Sequence, residues 1–312
     1  MRNFFLLFFL YCFSLKAQDS LPQIILLDEV QISVSDTGFT VSDFIDIIKQ
    51  DTSFYMGFKH LRYYPHRFQS ELSIFNKKGR EIGNLKREGV HNVINDTAWV
   101  LIENEQDVGK VYKRNGKYKY YTPEAFDEVF FPEDSIPVSL TISQNKSDKQ
   151  SKNMRDAKTV GFSIGSDETE QKKGGLSKKL AIFDISMQQY YNYLIGETYY
   201  NGIDCYTFTC MVKDTLTEKE KKGALIRKLV SYFDKRNFKV LYREYVFYYD
   251  HLLFDLDMQV IVDMKYVNQI HVPTNIYYKG YWNVFMIKPE RAEFTIRMRD
   301  YQIPESSLLE LN

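Results

Sequence analysis

The chain has 312 residues with 41 basic and 41 acidic side chains, and this neutral balance excludes the broad positive surface that a nucleic-acid-binding protein needs. Aromatic residues make up 16% of the chain, including 24 tyrosines and 23 phenylalanines. Aromatic side chains at this density favour β-strands over helices, and the length suffices for one large β domain or two smaller ones.

The amino-terminal residues have the order of a signal peptide. Met1-Arg2-Asn3 gives a positive start, an apolar run continues to Phe13, and Ser14 and Ala17 offer small residues for cleavage. The run is shorter than the ~20 residues that cross a bilayer as a helix, and no later stretch comes closer. Residues 1–18 therefore predict an exported protein, periplasmic or associated with the outer membrane, with no transmembrane span in the mature chain.

Residues 19–142 predict a β-rich region with short helices. Alternation over residues 23–34 predicts a strand, and the apolar spacing from Thr40 to Ile48 predicts an amphipathic helix. The segment Thr122-Pro123-Glu124 predicts the start of a second helix that ends before Pro132.

Two β-hairpins are predicted in the same region from their turn residues. Residues 71–75 and 81–85 flank Asn76-Lys77-Lys78-Gly79. The pair Asn115-Gly116 predicts a tight turn between strands at residues 111–114 and 117–121.

A polar stretch separates this region from the rest of the chain. Residues 143–179 are rich in Lys, Ser, Asp, Glu, Gln and Gly, so they bury too little apolar surface to offset the cost of ordering. They predict a mobile loop or linker.

Residues 180–312 predict an antiparallel sheet region with short turns. Leu256, Met258, Val260 and Val262 are expected to be buried, while Asp255, Asp257 and Asp263 on the alternate positions face solvent. In a preceding strand, one face is expected to carry Phe238, Val240, Tyr242, Val246 and Tyr248. Residues 217–223 predict either one helical turn, with Thr217 and Glu220 in capping-box spacing, or a charged loop.

One catalytic motif is present by its letters. Gly161-Phe162-Ser163-Ile164-Gly165 has the form of a hydrolase nucleophile elbow, and Asp255 and His271 could complete a Ser, Asp, His order. An elbow needs a buried strand before the serine and a helix after it, whereas a polar, lysine- and glycine-rich run follows Ser163. A serine hydrolase is therefore the alternative and not the leading interpretation.

Other reactive side chains give no site from the sequence. The five histidines, His60, His66, His91, His251 and His271, lack the tight spacing of metal ligands, so no metal and no cofactor is expected. Cys205 and Cys210 would lie ~16 Å apart and on opposite faces of one strand, which excludes a disulfide between them. No catalytic, metal or cofactor residue is assigned, and the ligand-binding residues stay unknown.

Two stretches carry a resemblance to a known family. The outer-membrane lipoprotein-sorting fold is resembled by residues 229–241, followed by a long alternating strand and Val272-Pro273-Thr274-Asn275-Ile276. In that fold a leucine stands at the position of Val272, and a tryptophan stands at the position of Tyr232-Phe233. The resemblance covers the last third of the chain. It implies a curved antiparallel sheet around a helix, whose concave apolar face could hold acyl chains, and it brings no catalytic residue.

A second resemblance is to uncharacterised Bacteroidota envelope proteins of the carboxypeptidase-regulatory-like group, which are not peptidases. Leu27-Asp28-Glu29-Val30-Gln31-Ile32 carries it, together with residues 190–196 leading into Gly202-Ile203-Asp204-Cys205-Tyr206.

These patterns predict a mainly β, α+β fold, an antiparallel curved sheet or open half-barrel with a few short covering helices. The expected function is non-enzymatic binding of a lipid or acyl chain, or of an outer-membrane protein partner.

Overall fold

A computed structural model of the protein describes Asp46 and residues 53–132, 134–138, 182–251, 254–284 and 289–303. The predicted signal peptide, the strand at residues 23–34, all of the helix from Thr40 except Asp46, the polar stretch at 143–179 and Ser163 lie outside these residues. The division of the chain at residues 143–179 therefore stays a prediction.

The described strands form one antiparallel sheet. The eleven described strands are β1 His66–Phe75, β2 Glu81–Ile94, β3 Thr97–Gly109, β4 Ile136–Pro137, β5 Tyr191–Tyr200, β6 Ile203–Val212, β7 Ile226–Asp234, β8 Val240–His251, β9 Phe254–Val267, β10 Ile270–Val284 and β11 Glu290–Arg299. Their order across the sheet is β4-β3-β2-β1-β11-β10-β9-β8-β7-β6-β5. The sheet is open, since β4 and β5 are its edges among the described strands, and the predicted fold class is confirmed.

The order divides the sheet into two meanders. Strands β1 to β4 pair with their neighbours in sequence, and so do strands β5 to β11. A single pair, β1 with β11, joins the two meanders within the described residues, with Arg67 opposite Arg299 and Phe75 opposite Arg291.

Four helices accompany the sheet in the described ranges: α1 Ser53–Tyr63, α2 Tyr121–Phe130, α3 Ile185–Gln188 and α4 Glu218–Lys221. In the described residues, no helix has the length and apolar character that crossing a membrane requires. Helix α4 has the predicted capping box, in which Thr217 and Glu220 exchange side-chain and backbone hydrogen bonds.

The buried face of the sheet, called here the inner face, contacts α1 and α2. On β9, Leu256, Met258, Val260 and Val262 are at most 1% exposed. Asp257 is exposed on the alternate positions, while Asp255 and Asp263 are half-buried and accept hydrogen bonds from Asn283 and Asn275. The predicted alternation of β9 is confirmed.

The prediction that Val240 and Tyr248 lie on the same face of β8 is wrong. Val240 is buried, but Tyr248 is 39% exposed, and its neighbour Phe247 is buried in its place at 2%. The cause is a β-bulge: Val240 pairs with Phe233 and Tyr242 with Tyr232, so Leu241 is an extra residue that moves later side chains to the other face.

The second predicted hairpin is only partly correct. Gly116 lies in the expected tight turn, with its amide donating to the Lys113 carbonyl at 3.0 Å. The flanking residues make one isolated bridge, between Tyr112 and Tyr118, and Tyr121 already belongs to α2. The hairpin from residue 71 to 85 is confirmed and extends further on both sides.

Candidate functional site

A mostly apolar cleft lies on the inner face between the carboxyl-terminal ends of α1 and α2 and the strands β1 to β4. We call it the inner cleft. Its lining consists of Leu61, Arg62, His66, Phe68, His91, Ala98, Trp99, Val100, Val129, Phe130, Pro132, Ile136 and Ile296. The space inside it is about 30 Å³, enough for about two water molecules.

Three polar side chains form the base of the inner cleft. Arg62, His66 and His91 are 6%, 3% and 9% exposed. The two imidazole rings stack with their centroids 4.8 Å apart. His66 Nδ1 lies 2.9 Å from the Tyr64 carbonyl oxygen, and His91 Nδ1 is buried without a hydrogen-bond partner among the described residues.

Burial determines the protonation state of these three side chains. It lowers the pKa of His66 to about 3, with a further lowering from His91, and it lowers the pKa of His91 to about 4, to which the Arg62 charge also contributes. Burial lowers the pKa of Arg62 to about 10. At neutral pH, Arg62 is therefore positively charged and the two imidazole rings are neutral.

Helix α1 places Arg62 in the cleft. Phe54, Phe58 and Leu61 recur at helical spacing and are buried against the sheet, and the Arg243 guanidinium lies 4.3 Å from the centre of the Phe54 ring. A Cβ at Gly57 would overlap the terminal methyl group of Met264 on β9, so a larger residue there would require this flexible side chain to move.

The carboxyl-terminal tail holds His66 from the side opposite His91. The Tyr301 ring centre is 4.7 Å from that of His66. The Tyr301 hydroxyl donates to the Pro273 carbonyl at 2.6 Å. His66 therefore lies between two rings, one of which is anchored to β10.

A paired buried cation, Arg87, fixes α2 on the sheet. Its guanidinium donates to Glu105 and to Asp127 of α2 at 2.6 Å each, and to the Tyr118 hydroxyl at 2.6 Å. Burial alone would lower the pKa of Arg87, but the Asp127 carboxylate raises it above its ordinary value. Arg87 is therefore charged and satisfied by internal partners.

The amino-terminal end of α2 is held by a residue from the other meander. Glu290 accepts hydrogen bonds from the Tyr121 amide at 2.7 Å, the Thr122 amide at 2.8 Å and the Thr122 hydroxyl at 2.7 Å. These are orphan donors of the first helical turn, and the carboxylate complements the helix dipole there. The amino-terminal end of the wall formed by α2 is thus fixed.

The residues of the alternative hydrolase interpretation do not converge. Asp255 pairs with Asn283, and His271 pairs with Tyr266, at opposite ends of the β9 and β10 ladder. Eleven residues of one strand separate these positions, roughly 35 Å. Asp255 and His271 therefore cannot belong to one catalytic triad.

Other reactive side chains of the described part also stay apart. The described residues contain no group of three or more His, Cys, Asp or Glu side chains placed to hold a metal ion. Cys205 and Cys210 are free and buried. Burial raises the pKa of the Cys210 thiol above its ordinary value, so this thiol is unreactive at neutral pH.

The base of the inner cleft was not predicted from the sequence. His66 and His91 lie directly opposite each other in the β1 and β2 register, although 25 residues separate them in the chain. A search for closely spaced histidines cannot find such a pair, because the contact depends on the register of a hairpin.

Comparison of the sequence with known proteins gives no match to a family model and none to a curated protein. Comparison of the structure gives solved structures at low identity. A DUF1329 family protein from Desulfovibrio piger has 12% identity and a TM-score of 0.23, with 77% of this chain and 86% of that chain covered.

Two further solved structures are named for lipoprotein sorting or its superfamily. An outer-membrane lipoprotein-sorting protein domain from Vibrio parahaemolyticus has 9% identity and a TM-score of 0.26 over 82% of this chain and 95% of that one. A LolA superfamily protein from Nitrosomonas europaea has 11% identity and a TM-score of 0.23 over 80% and 94%. The likeness to Bacteroidota envelope proteins stays a prediction.

Proposed function

We propose that this is an exported, non-enzymatic protein that binds the acyl chain of a lipid in the inner cleft. The observation that carries the proposal is the composition of the lining, in which ten of the thirteen side chains are apolar. Export rests on residues 1–18, whose charged, apolar and small residues follow the order of a signal peptide.

The energetics favour an acyl chain over a polar ligand. Each Å² of apolar surface that leaves water contributes about 25 cal/mol, and hydrocarbon walls offer a polar ligand few hydrogen-bond partners. Micromolar affinity is therefore within reach of a medium-length chain after the costs of association.

Entry of a chain requires movement of a wall. The space of about 30 Å³ is too small for more than a fragment of a chain. The side of the cleft formed by Val129, Phe130 and Pro132 comes after Asp127, the residue through which Arg87 holds α2. We expect the chain after Asp127 to move away from the sheet when a ligand binds.

Lipid extraction and a blocking variant test the proposal. Protein purified from bacterial envelopes should carry lipid detectable by native mass spectrometry, and a fluorescent fatty acid should bind the delipidated protein. Val100→Trp places a large side chain in the lining at a half-buried position, so it should weaken binding at least about tenfold.

The matched control is Val108→Trp on the same strand, at a position that is 67% exposed and outside the cleft. It should bind as the unchanged protein does. Absence of both co-purified lipid and fatty-acid binding would refute the proposal and leave the binding of an envelope partner. Equal loss of binding in both variants would show that the loss does not come from filling the inner cleft.

A further inference from the structure

We propose that the outer face of the sheet at the β2 and β3 hairpin is a docking surface for a phospholipid bilayer, and that it brings the inner cleft to its lipid. We call this surface the outer patch, and its members are Arg67, Val90, Ile94, Trp99, Leu101 and Arg299. Docking itself does not depend on the proposed function, whereas the supply of lipid to the cleft rests on it.

Strand register places the outer patch on one face of the sheet. The directly opposite pairs are Leu101 with Val90, Val90 with Arg67, and Arg67 with Arg299, which form one row across β3, β2, β1 and β11. Adjacent strands are about 4.8 Å apart, so neighbours in this row lie side by side. Val100, next to Leu101 along β3, lines the inner cleft, so the row lies on the opposite face.

The apolar part of the outer patch is contiguous and exposed. Ile94 is 60% exposed and Leu101 54%. The half-buried Trp99 lies between Leu101 and Thr97, the partner of Ile94, on the same face of β3. Single exposed apolar residues are common on protein surfaces, but a contiguous group marks an interaction site. A tryptophan in such a group is typical of the membrane interface, because its ring is apolar and its N–H is polar.

The charged part of the outer patch favours phosphate groups. Arg67 and Arg299 are directly opposite each other, an arrangement in which like charges repel. Arg67 contacts Glu103, and Arg299 lies 3.8 Å from the Asp300 carboxylate. Exposed ion pairs of this kind are weak in water, so both guanidinium groups can exchange them for phosphate oxygens. Every phospholipid head group supplies such a phosphate.

The outer patch is continuous with the inner cleft around the edge of the sheet. Strand β4 pairs with Thr97 and Ala98 of β3, and the rest of β3 has no neighbour on that side among the described strands. Trp99 and Val100 line the cleft at this edge, and Leu101 follows them on the outer face. A bilayer that contacts the outer patch therefore lies next to a wall of the cleft.

A second copy of the chain is the competing occupant. Pairing of two β3 edges would cover Leu101, but Arg67 and Arg299 lie two and three strands away from that edge. Such a dimer would leave the two opposed arginines without an anionic partner. A bilayer accounts for the apolar and the charged residues together, since acyl chains and phosphate groups meet at its interface.

Flotation of the mature protein with lipid vesicles tests the proposal. The unchanged protein should bind vesicles made of equal parts of phosphatidylcholine and phosphatidylglycerol, and binding should weaken as the salt concentration rises. Leu101→Asp should weaken binding about tenfold or more, because an apolar side chain no longer leaves water. Arg299→Gln should weaken it about fivefold, because one positive charge near the lipid surface is lost.

Val108→Asp is the matched control for Leu101→Asp. It adds the same charge on the same strand, at a position that is 67% exposed and outside the outer patch, so vesicle binding should not change. Leu101→Phe keeps an apolar side chain and should retain binding, which covers the case in which Leu101→Asp does not fold. These variants leave the lining of the inner cleft intact, so they should bind a fluorescent fatty acid from solution as the unchanged protein does.

The outcomes separate docking from acyl-chain binding. Vesicle binding without fatty-acid binding would refute the proposed function and support the docking surface. Fatty-acid binding without vesicle binding would overturn the docking surface, and so would equal vesicle binding by the unchanged protein, Leu101→Asp and Arg299→Gln. A dimer that is lost in Leu101→Asp, found by sedimentation where vesicle binding is absent, would assign the apolar residues to a second copy instead.

Discussion

Arg62 and Arg87 are both buried arginines of the inner face, and their surroundings differ. Arg87 donates to two carboxylates and a tyrosine hydroxyl of the protein. Arg62 lies against the apolar walls of the inner cleft. The arrangement of Arg87 is typical of a structural ion pair.

Replacement of Arg87 should therefore be costly for stability. Arg87→Met leaves the Asp127 carboxylate buried without its cation, and we expect the free energy of unfolding to fall by about 3–5 kcal/mol. Urea denaturation measures the change. Arg67→Met is the matched control, since Arg67 forms an exposed pair with Glu103 that is worth less than about 1 kcal/mol. Equal losses in the two variants would contradict the assigned role of Arg87.

The histidine pair shows where residue-scale prediction ends. The alternation of β9 could be read from the sequence because an uninterrupted strand has a fixed period of two. The pairing of His66 with His91 could not be read from the sequence, because the register of β1 and β2 shifts between Ile74 and Phe75. One such bulge changes which residues lie opposite each other along the remaining hairpin.

Helix α2 was predictable as an element, whereas its anchoring was not. The segment beginning at Thr122 carries local signals for a helix start, and the helix ends at Phe130 as expected. Its cap comes from Glu290, 168 residues after Thr122, and no side-chain cap is made by Tyr120 at the capping position. A local pattern contains no information about such a distant partner.

Removing the charge of Glu290 should destabilise α2. In Glu290→Gln, an amide group replaces an acceptor oxygen opposite the first-turn donors, and we expect the free energy of unfolding to fall by about 1–3 kcal/mol. Hydrogen exchange should also become faster at the Tyr121 and Thr122 amides. Glu293→Gln on the same strand removes the partner of Lys279 at the surface and should change little. Unchanged exchange in Glu290→Gln would show that α2 is held by its packing alone.

At the scale of the molecule, the carboxyl-terminal meander was predictable and the single sheet was not. Short turns between alternating strands predict that neighbours pair. The pairing of β1 with β11 joins residues at the two ends of the described chain, and the sequence contains no local signal for it.

The predicted linker at residues 143–179 can be tested by limited proteolysis. Trypsin should cut first within this lysine-rich stretch. The two fragments should still elute together in size-exclusion chromatography, because the β1 and β11 ladder and the packing of α1 on β10 join them. Initial cleavage elsewhere would contradict the linker prediction, and separation of the fragments without denaturant would show that these contacts are too weak to hold the halves.

The one long-range strand pair has a consequence for biogenesis. Arg67 pairs with Arg299, so β1 is made 232 residues before its second neighbour exists. At about 5–20 residues per second, that interval is on the order of 10–50 s of synthesis. Until β11 arrives, β1 presents an open hydrogen-bonding edge, which is where unwanted strand pairing begins. Refolding yield should accordingly fall as protein concentration rises. When the pairing forms only after export, a chaperone would be needed to cover the open edge of β1 until then.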